Sequence, residues 1–225
     1  MKNLLLTILA LAALLALTAT PAQAQLNTLD GDFRWWTGLN AKLFDDGQWR
    51  ATLSPAARYY ESVDYLGFSE VQANGHYQAL DNLELGAGYV YLARRGAEDA
   101  DFDRVHRMQY EVNPHFDLTE RLSLKNRNRL ETLWDVRRGN DPAYRSRHRI
   151  GLTLAAERVP GIKAVGINNE VIYNYQDNLW RENRFMPITA RWRLSRKLSM
   201  DLYFMLRTRR PLVGDWSTGF IFGTT

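Results

Sequence analysis

Tyr144-Arg-Ser-Arg-His-Arg-Ile-Gly-Leu-Thr-Leu-Ala-Ala-Glu157 sets Arg145, Arg147 and Arg149 at every second position. Successive side chains of a β-strand point to opposite faces, so the three guanidinium groups share one face. Tyr144, Ser146, His148, Ile150, Leu152, Leu154 and Ala156 take the other. One face is charged and the other mostly apolar. This pattern fits a strand whose charged face lines a barrel lumen and whose apolar face meets lipid.

The same period extends in both directions, and eleven segments alternate in all. Val71, Ala73 and Tyr77 oppose Glu70, Gln72, Asn74 and His76, while Leu83, Leu85, Ala87, Tyr89 and Tyr91 oppose Glu84, Gly86 and Gly88. Met108, Tyr110 and Val112 oppose Arg107, Gln109 and Glu111. Leu122, Leu124 and Leu130 oppose Lys125, Arg127, Arg129 and Glu131, with Asn126 and Asn128 as polar intruders on the apolar side. Beyond the central stretch, Val165, Ile167 and Val171 oppose Asn168 and Glu170. Met186, Ile188, Ala190 and Trp192 oppose Thr189, Arg191 and Arg193, and Met200, Leu202 and Phe204 oppose Asp201, Arg207 and Arg209.

Tight connections (44–48, 80–82, 117–121, 158–163, 195–197) take turns with longer ones (60–68, 95–102, 135–143, 176–182, 208–215). Short turns on one rim and long loops on the other are the habit of outer-membrane barrels, and aromatic residues gather near both sets of strand ends. The expected fold is therefore all-β: an antiparallel transmembrane β-barrel. Eleven is odd where bacterial barrels are even, so a further strand around 26–32 would make twelve, and ten is the alternative. The chain ends Gly223-Thr-Thr225 rather than on the usual aromatic, which leaves the completeness of the last strand open.

At the other end, Lys2, the apolar run Leu4–Leu17 and the small-residue exit at Ala22-Gln-Ala24 describe a cleavable signal peptide over 1–24. The barrel domain is then 25–225, exported to the outer membrane of a Gram-negative envelope. There is no cysteine, so the fold needs no disulfide. Mean hydropathy of −0.40 is low for a helical membrane protein but normal for a barrel, in which only alternate residues meet lipid. A net charge of +4 on 29 basic and 25 acidic residues gives no reason to expect nucleic acid. Lipids are the expected surroundings, and no cofactor or metal spacing is present.

Arg121-Leu-Ser-Leu-Lys-Asn-Arg-Asn-Arg-Leu-Glu131, Tyr144-Arg-Ser-Arg-His-Arg-Ile150, Asn169-Glu170, Trp180-Arg-Glu-Asn-Arg184 and Arg193-Leu-Ser-Arg-Lys-Leu-Ser199 together resemble the DUF2490 family. That resemblance implies an outer-membrane barrel of unknown function and carries over no catalytic residue.

Two constellations invite a function. The inward phase collects Arg107, Arg127, Arg129, Arg145, Arg147, Arg149, Arg191, Arg193, Arg207, Arg209 and Lys125 with Glu70, Glu84, Glu111, Glu131, Glu170 and Asp201. Such a set serves either as a track that lowers the barrier to small anionic solutes or as a paired polar core that closes the lumen. On the outward phase, Ser146, His148 and the two asparagines suggest a lipid hydrolase of the Asn–His–Ser kind found in outer-membrane phospholipase, although the residue order differs. A soluble, lipocalin-like periplasmic barrel is the remaining alternative, with the arginines turned outward instead.

Overall fold

The computed structural model describes residues 33–61, 63–139, 141–195, 197–210 and 216–225. The signal peptide and the strand expected around 26–32 lie outside the described residues.

Twelve strands form one sheet: β1 (Phe33–Gly38), β2 (Ala41–Asp45), β3 (Trp49–Tyr60), β4 (Tyr65–Leu80), β5 (Leu83–Arg94), β6 (Asp103–Asp117), β7 (Leu122–Asp135), β8 (Pro142–Ala155), β9 (Ile162–Asn174), β10 (Leu179–Arg193), β11 (Ser199–Arg209) and β12 (Ser217–Thr224). From β3 to β12 each strand pairs antiparallel with the next in sequence, which is the meander that short connections dictate. β1 and β2 lie end to end along β3, as Trp35 pairs with Tyr59 and Ala41 with Leu53. The other edge of β1 meets β12, with Phe33 opposite Phe220 and Thr37 opposite Thr224. The sheet therefore closes on itself through β1, while β2 pairs along one edge only, with β3, among the described residues. The β1–β12 pairing is parallel, as it must be when eleven antiparallel positions close around a ring. Among the described residues the twelfth strand thus comes from the break at Leu39-Asn40 within the first segment.

The strands run longer than alternation alone suggests. The stretch expected as a loop over 60–68 shortens, since β3 runs to Tyr60 and β4 starts at Tyr65, and that expected over 176–182 shrinks to a turn at 175–178. Asn178 takes a left-handed conformation there (φ 54°), which asparagine tolerates. The turn before β3 uses Gly47 at φ 92°, where a side chain would be strained.

The two faces divide as the alternation requires. Tyr110, Val112, Leu130, Tyr144 and Ile150 are exposed on the outside, while Arg107, Glu111, Arg129, Glu131, Arg147 and Glu170 are buried inside. A lipocalin-like barrel would show the reverse. Ten residue steps from Tyr144 to Leu154 rise about 33 Å along β8. At the usual barrel tilt that corresponds to about 25 Å of apolar height.

One phase assignment is corrected. Met186 is buried in the lumen beside Trp36, Met205 and Ile221, not on the outer face with Ile188. The β10–β11 register shifts between Phe185 and Ile188, so the face flips within that step. Pro187 sits in the irregularity, where its missing N–H costs the ladder nothing. A second apolar group inside the barrel, Phe68, Val90, Leu92 and Val105, packs near the long-loop rim.

Candidate functional site

β7 and β8 pair so that Arg129 faces Arg147 and Arg127 faces Arg149. Like charges directly opposite destabilise a sheet unless counter-charges come between them. Three glutamates on the lumen side, one on β7 itself and two on the flanking strands β6 and β9, fill that role. Glu111, opposite Arg129 on β6, accepts from its Nε at 2.6 Å. Glu131, with 0% of its surface exposed, lies within 3.4 Å of Arg129 and 3.2 Å of Arg147, and its other oxygen accepts from Arg145. Glu170, 2% exposed, accepts from Arg127 at 2.6 Å, Arg147 at 2.7 Å and Arg184 at 3.3 Å.

These pairs join into a ring around the lumen. The Trp36 ring on β1 lies 4.1 Å from the Arg58 guanidinium on β3. Arg58 stands 3.6 Å from Glu70 on β4, and Glu70 lies 3.1 Å from Arg107 on β6. Arg107 approaches Glu131 on β7 at 3.7 Å, and from there Arg147 on β8 leads to Glu170 on β9 and Arg184 on β10. Arg184 then returns to the Trp36 ring at 5.3 Å, as does Arg207 on β11. Glu182 binds Arg207 through two hydrogen bonds, at 2.7 and 2.9 Å, and also accepts from Arg184. The fork geometry of arginine lets one side chain serve two carboxylates, which is how a few glutamates hold many arginines.

The ring separates two cavities. One, of about 660 Å³, opens toward the short turns and is bordered by Arg149, Lys125, Asn168 and Tyr203. The other, of about 560 Å³, opens toward the long loops and is bordered by Arg58, Arg107, Arg145 and Arg209. Arg147 and Arg184 border both. Glycine makes room for this filling: a Cβ on Gly88 would lie 2.0 Å from the Asn74 carboxamide, which accepts from Gln109 at 2.5 Å.

The remaining members of the expected inward set lie away from the ring. Glu84 pairs with Arg50 and with His76 at 3.1 Å near the short turns. Arg191 and Asp201 form a bidentate pair (2.7 and 2.6 Å) at that rim, and Arg193 is exposed beyond it. Arg209 is exposed at the opposite rim, 3.7 Å from Glu182. Alternation missed Glu182 because it fell in an expected loop, and Arg184 because the alternating segment was read only from Met186 onward. It also gave no weight to Trp36, an aromatic on the charged phase. The readable signal was Glu182-x-Arg184, which continues the same two-residue period.

On the outer face, His148 Nδ1 lies 2.9 Å from Asn128 Oδ1, and Asn128 donates to Asn126 and to the Val112 carbonyl at 3.3 Å. Ser146 is 7% exposed and makes no hydrogen bond to His148 among the described residues. The polar group is satisfied internally, and its nucleophile is not engaged.

Fold and lumen define a class: a closed antiparallel β-barrel with an ion-paired interior. The chain belongs to the DUF2490 family, described as a protein of unknown function, whose family model matches residues 33–218. No curated protein matches the sequence. Among solved structures, one described as the NanC porin in a rhombohedral crystal form superposes with a TM-score of 0.48. Identity is 13%, over 79% of this chain and 85% of that one. The barrel assignment rests on strand register and not on this likeness.

Proposed function

We propose that this protein is a non-enzymatic outer-membrane barrel whose lumen is closed at rest by an arginine–glutamate septum. The outward apolar belt suits a bilayer as its solvent, because a sheet can satisfy its backbone groups there only by closing into a barrel. The observation that carries the closed state is that the two lumen cavities meet at Arg147 and Arg184, both held by Glu170. A charge pair buried this deeply is not displaced by a passing ion without a large desolvation cost. Should the septum part, the excess of guanidinium over carboxylate along the wall favours anions.

Planar-bilayer recording tests this reading. The purified barrel is expected to insert and show no steady conductance in potassium chloride. A stable open channel in the unmodified protein would sink it. The lipid-hydrolase reading has the Asn128–His148 contact in its favour and the disengaged, buried Ser146 against it.

A further inference from the structure

Arg149 stands opposite Arg127 on one side and Glu170 on the other. Neither forms a hydrogen bond or close ion pair with it among the described residues. Glu170 is occupied by Arg127, Arg147 and Arg184, and Arg149 makes no hydrogen bond or ion pair among the described residues. Lys125, diagonal to Arg149 across the β7–β8 pair, makes none either. Arg127 donates to Glu170 from one terminal nitrogen, and among the described residues no hydrogen bond engages the other. All three cations border the same short-turn cavity of about 660 Å³.

The opposite cavity differs. There Arg58, Arg107, Arg145 and Arg207 each have a carboxylate. Arg95, farther out at the long-loop rim, donates to the Leu66 and Glu98 carbonyls, so the cations next to the septum that lack an ion pair among the described residues, Arg149 and Lys125, stand on the short-turn side. A half-enclosed guanidinium is poorly screened and favours a counter-ion, and its flat fork matches two oxygens of one group. The volume lies in the range of small-molecule pockets. Asn168, bordering the same space, adds a neutral hydrogen-bonding group.

We propose that the short-turn cavity is a binding site for a small soluble oxyanion, a carboxylate or a phosphate, gripped by Arg149 and supported by Arg127 and Lys125. The septum closes the far end, so the ligand enters and leaves by the short-turn mouth. The site would retain a solute on that side without passing it.

Titration calorimetry of the folded barrel in detergent, with inorganic phosphate and with malonate in separate runs, tests the site and does not depend on conductance. Saturable binding of at least one is expected. Arg149→Gln is expected to weaken it about tenfold or more, since a charge-assisted bond is lost. Arg149→Lys keeps the charge without the fork and should weaken it severalfold; this variant decides the matter if Arg149→Gln does not fold. Arg94→Gln, a control on the long-loop rim where Arg94 pairs with Asp135, is expected to bind as the unmodified protein does. Absence of saturable binding for both anions, or unchanged affinity in the Arg149 variant that folds, would overturn the proposal.

Discussion

Arg147 donates to Glu170 at 2.7 Å across the β8–β9 pair, and both side chains are buried in the lumen. Glu170 shares its charge with two further arginines, so it is the point at which removal of one group leaves the most uncompensated charge. Glu170→Gln is expected to destabilise the barrel by about 3–5 kcal/mol, read as a lower urea midpoint in detergent. Adding Arg147→Met should recover part of the loss, because it removes a stranded cation along with its partner. An unchanged midpoint in the single variant would show that the network contributes no stability.

The septum can be tested without disturbing its carboxylates. Arg147→Ala combined with Arg184→Ala removes the two side chains common to both cavities and leaves Glu170 paired with Arg127. Stepwise conductance is expected in the double variant and none in the unmodified protein. Equal silence in both would place the block elsewhere, for instance at the apolar group around Phe68 and Val90.

Trp36 completes the ring by stacking with Arg58, Arg184 and Arg207. Trp36→Ala loses packing and three cation–π contacts, with an expected cost of about 3–5 kcal/mol. Trp36→Phe keeps a smaller ring face and should lose clearly less. Equal losses in both would mean that the indole acts through something other than its face.

Ile150 is 51% exposed near the middle of β8. If that face meets lipid, Ile150→Arg should lower folding stability in phospholipid vesicles by about 2–4 kcal/mol. A protein whose outer face meets water would tolerate the change, so a neutral result would count against the membrane placement.

Labelled phospholipid incubated with the folded barrel is expected to release no fatty acid, and Ser146→Ala should change nothing. Release that depends on Ser146 would revive the hydrolase reading. The Asn128–His148 contact would then become its orienting pair.

Much of this was legible from residue order. Arg145, Arg147 and Arg149 could share a face only in a strand, and the same phase carried Glu111, Glu131 and Glu170 to the interior. Where alternation failed, a local event had broken it. The irregularity at Pro187 turned Met186 inward, and the early start of β10 drew Glu182 out of an expected loop and put Arg184 in the strand ahead of Met186.

The sequence by itself determined the two faces, because a side-chain period of two is a property of the strand backbone alone. Which carboxylate meets which arginine was decided only by the closed sheet. Arg127 reaches Glu170 across an intervening strand, and Trp36 reaches Arg184 from the opposite end of the chain. Those meetings depend on register, on barrel closure by β1 against β12, and on the reach of long side chains across a narrow lumen. Local periodicity carries none of that information, so only the tertiary structure shows that the arginine wall is paired at its centre and, among the described residues, without an ion pair at Arg149.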